Sequence, residues 1–347
     1  MSDIQAIIPA ATDVQNIAPE QTPISQPSIQ VEDPSVNRQD DEKSPIQEEA
    51  ISIFERAVRA RDQLLSLTTP NAIINVLVSE TKRSPEQIAE DLSIDYFQSA
   101  NLFNQHIMAF RDSVLTANEA LKAEETPITL KAAYEAYRDC RHTIVKNLDT
   151  EVFYWNSKRL TFLPPEITRL TKVSSISLLD NKLSSLPNDF FTLKTLTKLT
   201  LNDNIISQLP EPTHELQNLT EFFMINNRLA SIPRNIKMLV NLQMLYLGQN
   251  RLNEIPEDLC TLKHLKNLHV GDNNLTELPS NIDMLENLIM LTAWGNKLTS
   301  LPASIVNLKH LSRLYLNGNQ FQSEPPELSS IKPRLYDLNV ALNPYTR

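Results

Sequence analysis

The sequence predicts an α/β solenoid, a curved domain of stacked parallel strands, with an all-α N-terminal domain before it. Three observations predict this. Asparagine recurs at 181, 204, 227, 250, 273, 296 and 319, always 23 residues apart, and once more at 343 after 24. Apolar residues keep step with it, three and five positions before each asparagine. Upstream, residues 46–150 carry apolar residues at helical spacing instead.

One unit, "LYLGQNRLNEIP" at residues 245–256, shows the logic. Leu245 and Leu247 alternate with Tyr246, the period-two signature of a short strand with its leucines inward and its tyrosine outward. A strand this short cannot stand alone, so it stacks on the copy 23 residues later, ~4.8 Å away. A fixed period of this length is the mark of a repeat architecture. The chain must turn sharply after each strand, and its backbone groups then leave the ladder inside the coil. An unpaired buried group costs roughly 1–3 kcal/mol. An asparagine side chain carries donors and an acceptor and can pair such groups. Asn181, Asn204, Asn227, Asn250, Asn273, Asn296, Asn319 and Asn343 are therefore read as a structural ladder.

Other positions follow from the same register. The four glycines, Gly248, Gly271, Gly295 and Gly318, are expected where the strand bends out. The proline of each recurring Leu-Pro or Ile-Pro ends the ladder. Residues such as Ile282, Leu285 and Leu288 close the coil as a short helical turn. Phe153 and Trp155 stand 23 residues before Ile176 and Leu178, which predicts a degenerate first strand with the helices docked on it as a cap. At the other end Glu324, Pro325, Pro326 and Pro333 are expected to blunt the last unit.

These residues resemble the leucine-rich repeat family, whose unit reads L-x-x-L-P-x-x-I-x-x-L-x-x-L-x-x-L-x-L-x-x-N. The 23-residue length and the Leu-Pro are similar to the intracellular class found in Ras-suppressor and scribble-type proteins, in plant cytosolic relatives and in bacterial proteins, secreted effectors among them. The resemblance covers residues 160–347 and implies an arc with the strands on its concave face. It says little about the ligand. Lys158 stands where a preceding asparagine would fall, Glu324 replaces the leucine of the last Leu-Pro, and Pro212 with His214 roughens the third repeat.

Three segments are expected. Residues 1–45 are rich in Pro, Gln, Ser and acidic residues and lack aromatics, so they read as a disordered acidic arm. Residues 46–150 read as a helical bundle that caps the solenoid. Ile51, Phe54, Val58, Leu64 and Leu65 are expected on one face of its first helix. Ser84, Pro85 and Gln87 form a helix start with a capping box. Phe97, Leu102, Ile107, Phe110, Val114 and Leu121 mark a long amphipathic helix. Residues 151–347 read as a solenoid of about eight repeats.

Net charge is −10, of which −8 falls in residues 1–50, −3 in 51–150 and +1 in 151–347. No basic surface for nucleic acid is implied, and no run is long enough for a membrane span. Two distant cysteines exclude a disulfide framework and favour a reducing compartment. The start lacks the basic and apolar parts of a cleaved signal. A cytoplasmic protein is expected, the alternative being secretion without a cleaved signal into a host cytosol.

Catalytic chemistry is not expected, nor a cofactor or metal. No glycine-rich phosphate loop is present. His264 and His310, each in "LKHL", lie two repeats apart, about 9–10 Å at the strand spacing, too far to share a zinc ion. Cys260 reads as a core filler. The outward strand positions carry the expected binding site instead: Phe223, Ile225, Tyr246, His269, Trp294 and Tyr315 as an aromatic stripe, with Met244, Met290 and Arg313 at its rim. Such residues are the usual interface anchors for a protein or peptide partner. The alternative puts activity in the helices, around Cys140 with His142 and Glu135 with Asp139, with the repeats as a targeting arm. The sequence leaves partner identity and oligomeric state open.

Overall fold

The computed structural model describes residues 56, 58–92, 100–121, 125–210 and 216–346. The acidic arm and the expectations at Ile51, Phe54, Phe97, Pro212 and His214 lie outside them.

Helices come first. A helical run over 58–66 (α1) precedes α2 (Pro70–Thr81), α3 (Pro85–Asp91), α4 (Ala100–Glu119) and α5 (Leu130–Lys146). Their starts follow from local chemistry. Thr69 accepts a hydrogen bond from the Ala72 N–H at 3.2 Å, and Pro70 opens α2 with a φ suited to the helix. At α3 the Gln87 N–H donates to Ser84 Oγ at 3.2 Å while the Ser84 N–H donates to Gln87 Oε1 at 3.0 Å. This capping box satisfies two otherwise orphaned donors. Ile73, Leu77, Ile107, Phe110, Val114, Tyr134 and Tyr137 are fully buried. Two residues depart from the helical pattern. Leu65 is 52% exposed because it follows the buried Leu64 and points away from it, and Leu102 is 48% exposed because it stands about 140° round the helix from Ile107.

Among the described residues from 152 onward the chain forms one parallel sheet of nine three-residue strands in sequence order. They are β1 (Val152–Tyr154), β2 (Ser175–Ser177), β3 (Lys198–Thr200), β4 (Glu221–Phe223), β5 (Met244–Tyr246), β6 (Asn267–His269), β7 (Met290–Thr292), β8 (Arg313–Tyr315) and β9 (Asp337–Asn339). Each residue pairs with the one 23 positions later until β8, where Arg313 pairs with Asp337. Phe153 pairs with Ile176, so the degenerate first strand is real. The return limb of most described coils is a short 3-10 turn, such as Glu257–Thr261 or Ile282–Met284, and between β8 and β9 it is the α-helix Pro326–Ile331. Ile282, Leu285 and Leu288 are fully buried there.

The asparagines join one coil to the one before it. Asn250 Oδ1 accepts from the Leu229 N–H at 2.9 Å, and its Nδ2 donates to the carbonyls of Met224 at 2.8 Å and Leu247 at 3.1 Å. Asn204, Asn227, Asn273, Asn296 and Asn319 repeat both inter-coil bonds. Asn181 makes them with Leu160 N–H and the Trp155 carbonyl. Asn343, one residue out of step, reaches the Phe321 N–H at 3.4 Å. The residue before each asparagine has positive φ: Asp180, Asp203, Asn226, Gln249, Asp272, Gly295, Gly318 and Leu342. Asp, Asn and Gly are the types that accept this left-handed conformation. The glycine expectation is corrected accordingly. Gly295 and Gly318 sit at the bend with φ of 64° and 68°, but Gly248 and Gly271 do not and lie on the concave face.

The helices pack on the first coil. Phe162 stacks on Tyr137 with ring centroids 6.2 Å apart and meets His106 edge-on at 5.1 Å. Ser113 Oγ donates to Thr161 Oγ1 at 3.0 Å, and Arg141 Nε donates to Glu166 Oε1 at 2.8 Å, a carboxylate only 2% exposed. One hydrophobic core runs from Leu64 to Ile331 without a break.

Replacing Asn250 with alanine strands the Leu229 N–H inside the coil and is expected to cost about 2 kcal/mol of unfolding free energy. Asn253, which is exposed, should tolerate alanine without loss. Urea titration of the two variants beside the parent checks this.

Candidate functional site: the concave face

Strand geometry alone decides which side chains meet on the concave face. Residues six, four and two before each asparagine point outward from the coil, and the stacking of strands lines them up across the sheet. In the third to seventh repeats these positions hold Phe223, Ile225, Tyr246, His269, Trp294 and Tyr315, with Met244, Met290 and Arg313 beside them.

The rings touch in series. Phe223 meets Tyr246 edge-on at 5.1 Å, Tyr246 meets His269 edge-on at 5.7 Å, and His269 stacks on Trp294 at 6.3 Å. Packing leaves the members unequally open. Phe223 is 4% exposed and Met290 7%, so both form the floor, while Ile225, Met244, Tyr246, His269, Trp294, Arg313 and Tyr315 keep part of their surface in solvent. Tyr315 is held from the far side, its hydroxyl donating to Asp337 Oδ2 at 2.6 Å. Burial and that acceptor push its pKa up to about 12.

Two glycines that sequence reasoning assigned to the bend are part of this floor. A Cβ on Gly248 would lie 2.3 Å from His269 Nε2, and one on Gly271 would lie 2.6 Å from Trp294 Nε1. Each ring thus folds back over the glycine of the preceding repeat. The signal was present in the sequence: Gly248 and Gly271 stand two residues before their asparagines, Gly295 and Gly318 one before. Strand parity separates the two classes.

The charged residues at the margins are matched. Lys198 Nζ lies 2.7 Å from Glu221 and 5.2 Å from the Phe223 ring centre. Arg313 lies 5.7 Å from the Tyr336 ring centre. Between them, from Met244 to Trp294, the outward strand positions carry no formal charge apart from the titratable His269. Burial pushes the His269 pKa down to about 4, against a hydrogen bond involving the Thr292 backbone, so the ring is neutral at physiological pH.

The remaining candidates are dispersed. Cys140 is fully buried and burial pushes its thiol well up, so it presents no thiolate. His142 Nε2 stands 3.6 Å from Asp91, whose carboxylate also receives Arg83 at 2.9 Å and the Tyr134 hydroxyl. Asp139 is paired with Arg138 at 2.8 Å. Cys260 is buried, its thiol pushed up to about 12. His264 and His310 are exposed on the convex side, in register with Asn218, Asn241 and Asn287, which bond to carbonyls of the preceding coil. Among the described residues no group of three or more His, Cys, Asp or Glu could hold a metal ion, and no helix is long and apolar enough to cross a membrane. An open hollow of about 830 Å³ lies away from the concave face, along the turns at Ile232, Ile255, Leu278 and Leu301.

Comparison with known proteins places these coils in a family. Residues 257–332 match the model of a leucine-rich repeat region, and residues 241–262 match that of a single Leucine Rich Repeat. A solved leucine-rich repeat protein of Leptospira interrogans is 37% identical over 53% of this chain, with a TM-score of 0.52. The coils of this chain are leucine-rich repeats. The chain spans about half of that leptospiral relative, 47% of whose chain is covered. Solved structures of lower score include a plant peptide hormone receptor in complex with RGF2, at 26% identity and TM-score 0.48 over 55% of this chain and 34% of that one. An internalin of Listeria monocytogenes aligns at 23% identity and TM-score 0.46 over 52% of each. No curated protein matches the chain.

Two outcomes follow from the leucine-rich repeat floor. Alanine at Gly271 should expel the Trp294 ring and shift its fluorescence to the red while the far-ultraviolet dichroism stays unchanged. The depressed pKa of His269, shared by the buried His106, means that between about 4 and 6.5 the unfolded chain binds more protons than the folded one. Stability should therefore fall as pH drops through that window. The urea midpoint of His269→Gln should fall less than the parent's between pH 7 and pH 5.

Proposed function

We propose that this protein is a non-catalytic protein-binding module that takes a protein or peptide segment on the concave face of its repeats. The observation that carries the reading is the continuous ring series from Phe223 to Trp294, partly open to solvent and free of formal charge along its middle. Rings already locked against one another and against Gly248 and Gly271 lose little conformational freedom on binding, which favours affinity per contact. Tyr246, Trp294 and Tyr315 offer the open aromatic surface, with Phe223 beneath them. An uncharged floor selects an apolar, uncharged stretch of partner, and the Lys198–Glu221 pair and Arg313 set its ends.

In this reading residues 46–150 act as the N-terminal cap of the solenoid at 151–347, and residues 1–45 as a tethered arm. The polar groups of the helices support it, since Asp91 and Arg141 are engaged in packing contacts, Arg141 with Glu166 of the first coil, rather than converging on an open site. Two buried free cysteines suit a reducing compartment, the cytoplasm or a host cytosol.

Affinity capture from cytosolic extract, with the full chain as bait beside its Trp294→Ala and Tyr246→Ala variants, tests the reading. A protein retained by the parent should be lost by both variants, each at a cost of about 2 kcal/mol or more once the affinity is titrated. Equal binding by all three baits would sink the concave-face assignment.

A further inference from the structure

The open hollow of about 830 Å³ along the turns has an apolar floor. The floor is the apolar residue of four successive Leu-Pro or Ile-Pro units, Ile232, Ile255, Leu278 and Leu301. Their spacing of 23 sets them in one row across four coils. They are 6, 6, 4 and 5% exposed, whereas the strand leucines Leu245, Leu268, Leu291 and Leu314 are fully buried. Each turn therefore leaves an uncovered edge of its apolar residue. The prolines that follow, Pro256, Pro279 and Pro302, carry no N–H. A ligand on this floor is held through side chains rather than by backbone pairing.

The rim is acidic. Among the described residues that line the hollow, Glu254, Glu257, Asp258 and Glu277 stand against one cation, Arg234. The solenoid as a whole is close to neutral, so this excess is local. Two of the four are already engaged: Asp258 pairs with Lys237 at 2.7 Å, and Glu257 Oε1 accepts from Ser280 Oγ at 2.8 Å. Glu254 and Glu277 are exposed, and among the described residues neither side chain has a hydrogen-bond or ion-pair partner. They occupy the same register position on neighbouring coils, where like charges repel. The four carboxylates do not converge on a point, since no group of three or more His, Cys, Asp or Glu among the described residues could hold a metal ion. A row of separate cations fits them better than a single ion.

We propose that this hollow takes an extended basic segment of a protein partner. Arginine and lysine are the side chains that match both of its parts. Their methylene stems lie along apolar surface while the charged head reaches outward, here to Glu254, Glu257 and Glu277 over the row from Ile232 to Leu301. Arginine matches best, because its planar fork binds a carboxylate through two hydrogen bonds. The row crosses three coil intervals, roughly 14 Å, the length of about four extended residues. Alternate side chains of an extended segment share one side, so two or three cations of such a segment meet the rim together. The hollow shares no residue with the concave aromatic series, and its occupation is independent of binding there.

A labelled peptide of alternating arginine and alanine, Arg-Ala-Arg-Ala-Arg, tests the site by fluorescence anisotropy with the full chain. The parent should bind it, and should not bind the same peptide with serine in place of arginine. Glu254→Gln with Glu277→Gln should weaken binding roughly tenfold, the effect of losing two partly exposed ion pairs. Both side chains are exposed, so the double variant keeps its fold. Glu80→Gln with Glu90→Gln, the same charge removed from exposed helix positions, should leave the affinity unchanged, and so should Trp294→Ala. Replacing each arginine with the short-stemmed cation diaminobutyrate should weaken binding, because its stem does not cover the floor. The proposal is overturned if the parent does not bind, or if the helix pair of substitutions costs as much as the rim pair. Loss in Trp294→Ala would move the segment to the concave face. Displacement by calcium chloride beyond that by sodium chloride of equal ionic strength would give the carboxylates to a metal ion instead, and full affinity of the diaminobutyrate peptide would remove the apolar floor from the site.

Discussion

The asparagine that reaches back one coil is the interaction on which the rest of this structure depends. A three-residue strand makes too few ladder bonds to define a sheet. What holds each strand in register is the side chain 23 residues on, which pairs with one N–H and one carbonyl of the preceding coil inside the core. Those backbone groups lie inside the coil, where a carbonyl such as that of Leu247 is shared between its own asparagine, Asn250, and the next, Asn273. Because each contact is between neighbouring coils, stability propagates along the solenoid as a chain of local agreements. The left-handed residue before each asparagine belongs to the same device. It reverses the backbone so that the amide can face inward, and the predominance of Asp, Asn and Gly at that position follows from their tolerance of positive φ.

Strict register has a consequence for the concave surface. Once every strand is locked to the next, outward side chains four residues before each asparagine must stand about 4.8 Å apart across the sheet. That spacing is close to the distance at which aromatic rings pack edge-on or offset. Phe223, Tyr246 and His269 occupy three successive positions and fill it. Trp294 belongs to the neighbouring row, yet joins the series because Gly271 leaves room for its ring to lean back. The floor is therefore preassembled by the same periodicity that folds the domain. Its charge pattern, neutral in the middle and paired at the margins, is a property of individual positions rather than of the repeat.

The ends break the periodicity, and each break is resolved by different physics. At the start, aromatic and polar contacts from the helices cover the first coil, with Arg141 Nε donating to Glu166 Oε1 in a nearly dry setting. At the finish, one inserted residue lengthens the Asn343 contact with the Phe321 N–H to 3.4 Å while its bonds to the Leu316 and Val340 carbonyls stay at 3.0 and 2.8 Å.

Much of this was legible in the residues alone. The interval of 23, the alternation of Leu245, Tyr246 and Leu247, the capping box at Ser84 and Gln87, and the degenerate strand at Phe153 each rest on spacing along the chain, and backbone geometry converts spacing directly into structure. What only the tertiary structure decided depends on contacts between coils. Leu65 and Leu102 are apolar yet exposed, because the face a helix buries is chosen by its neighbours. Phe223 lies in the floor, covered by the Tyr246 ring and the Lys198 ammonium, while Tyr246 stays part open. Gly248 and Gly271 exist to admit rings from the following repeat, a requirement set 21 to 23 residues away. The period determined where every side chain would point. The volumes of the side chains beside it determined whether it would be seen.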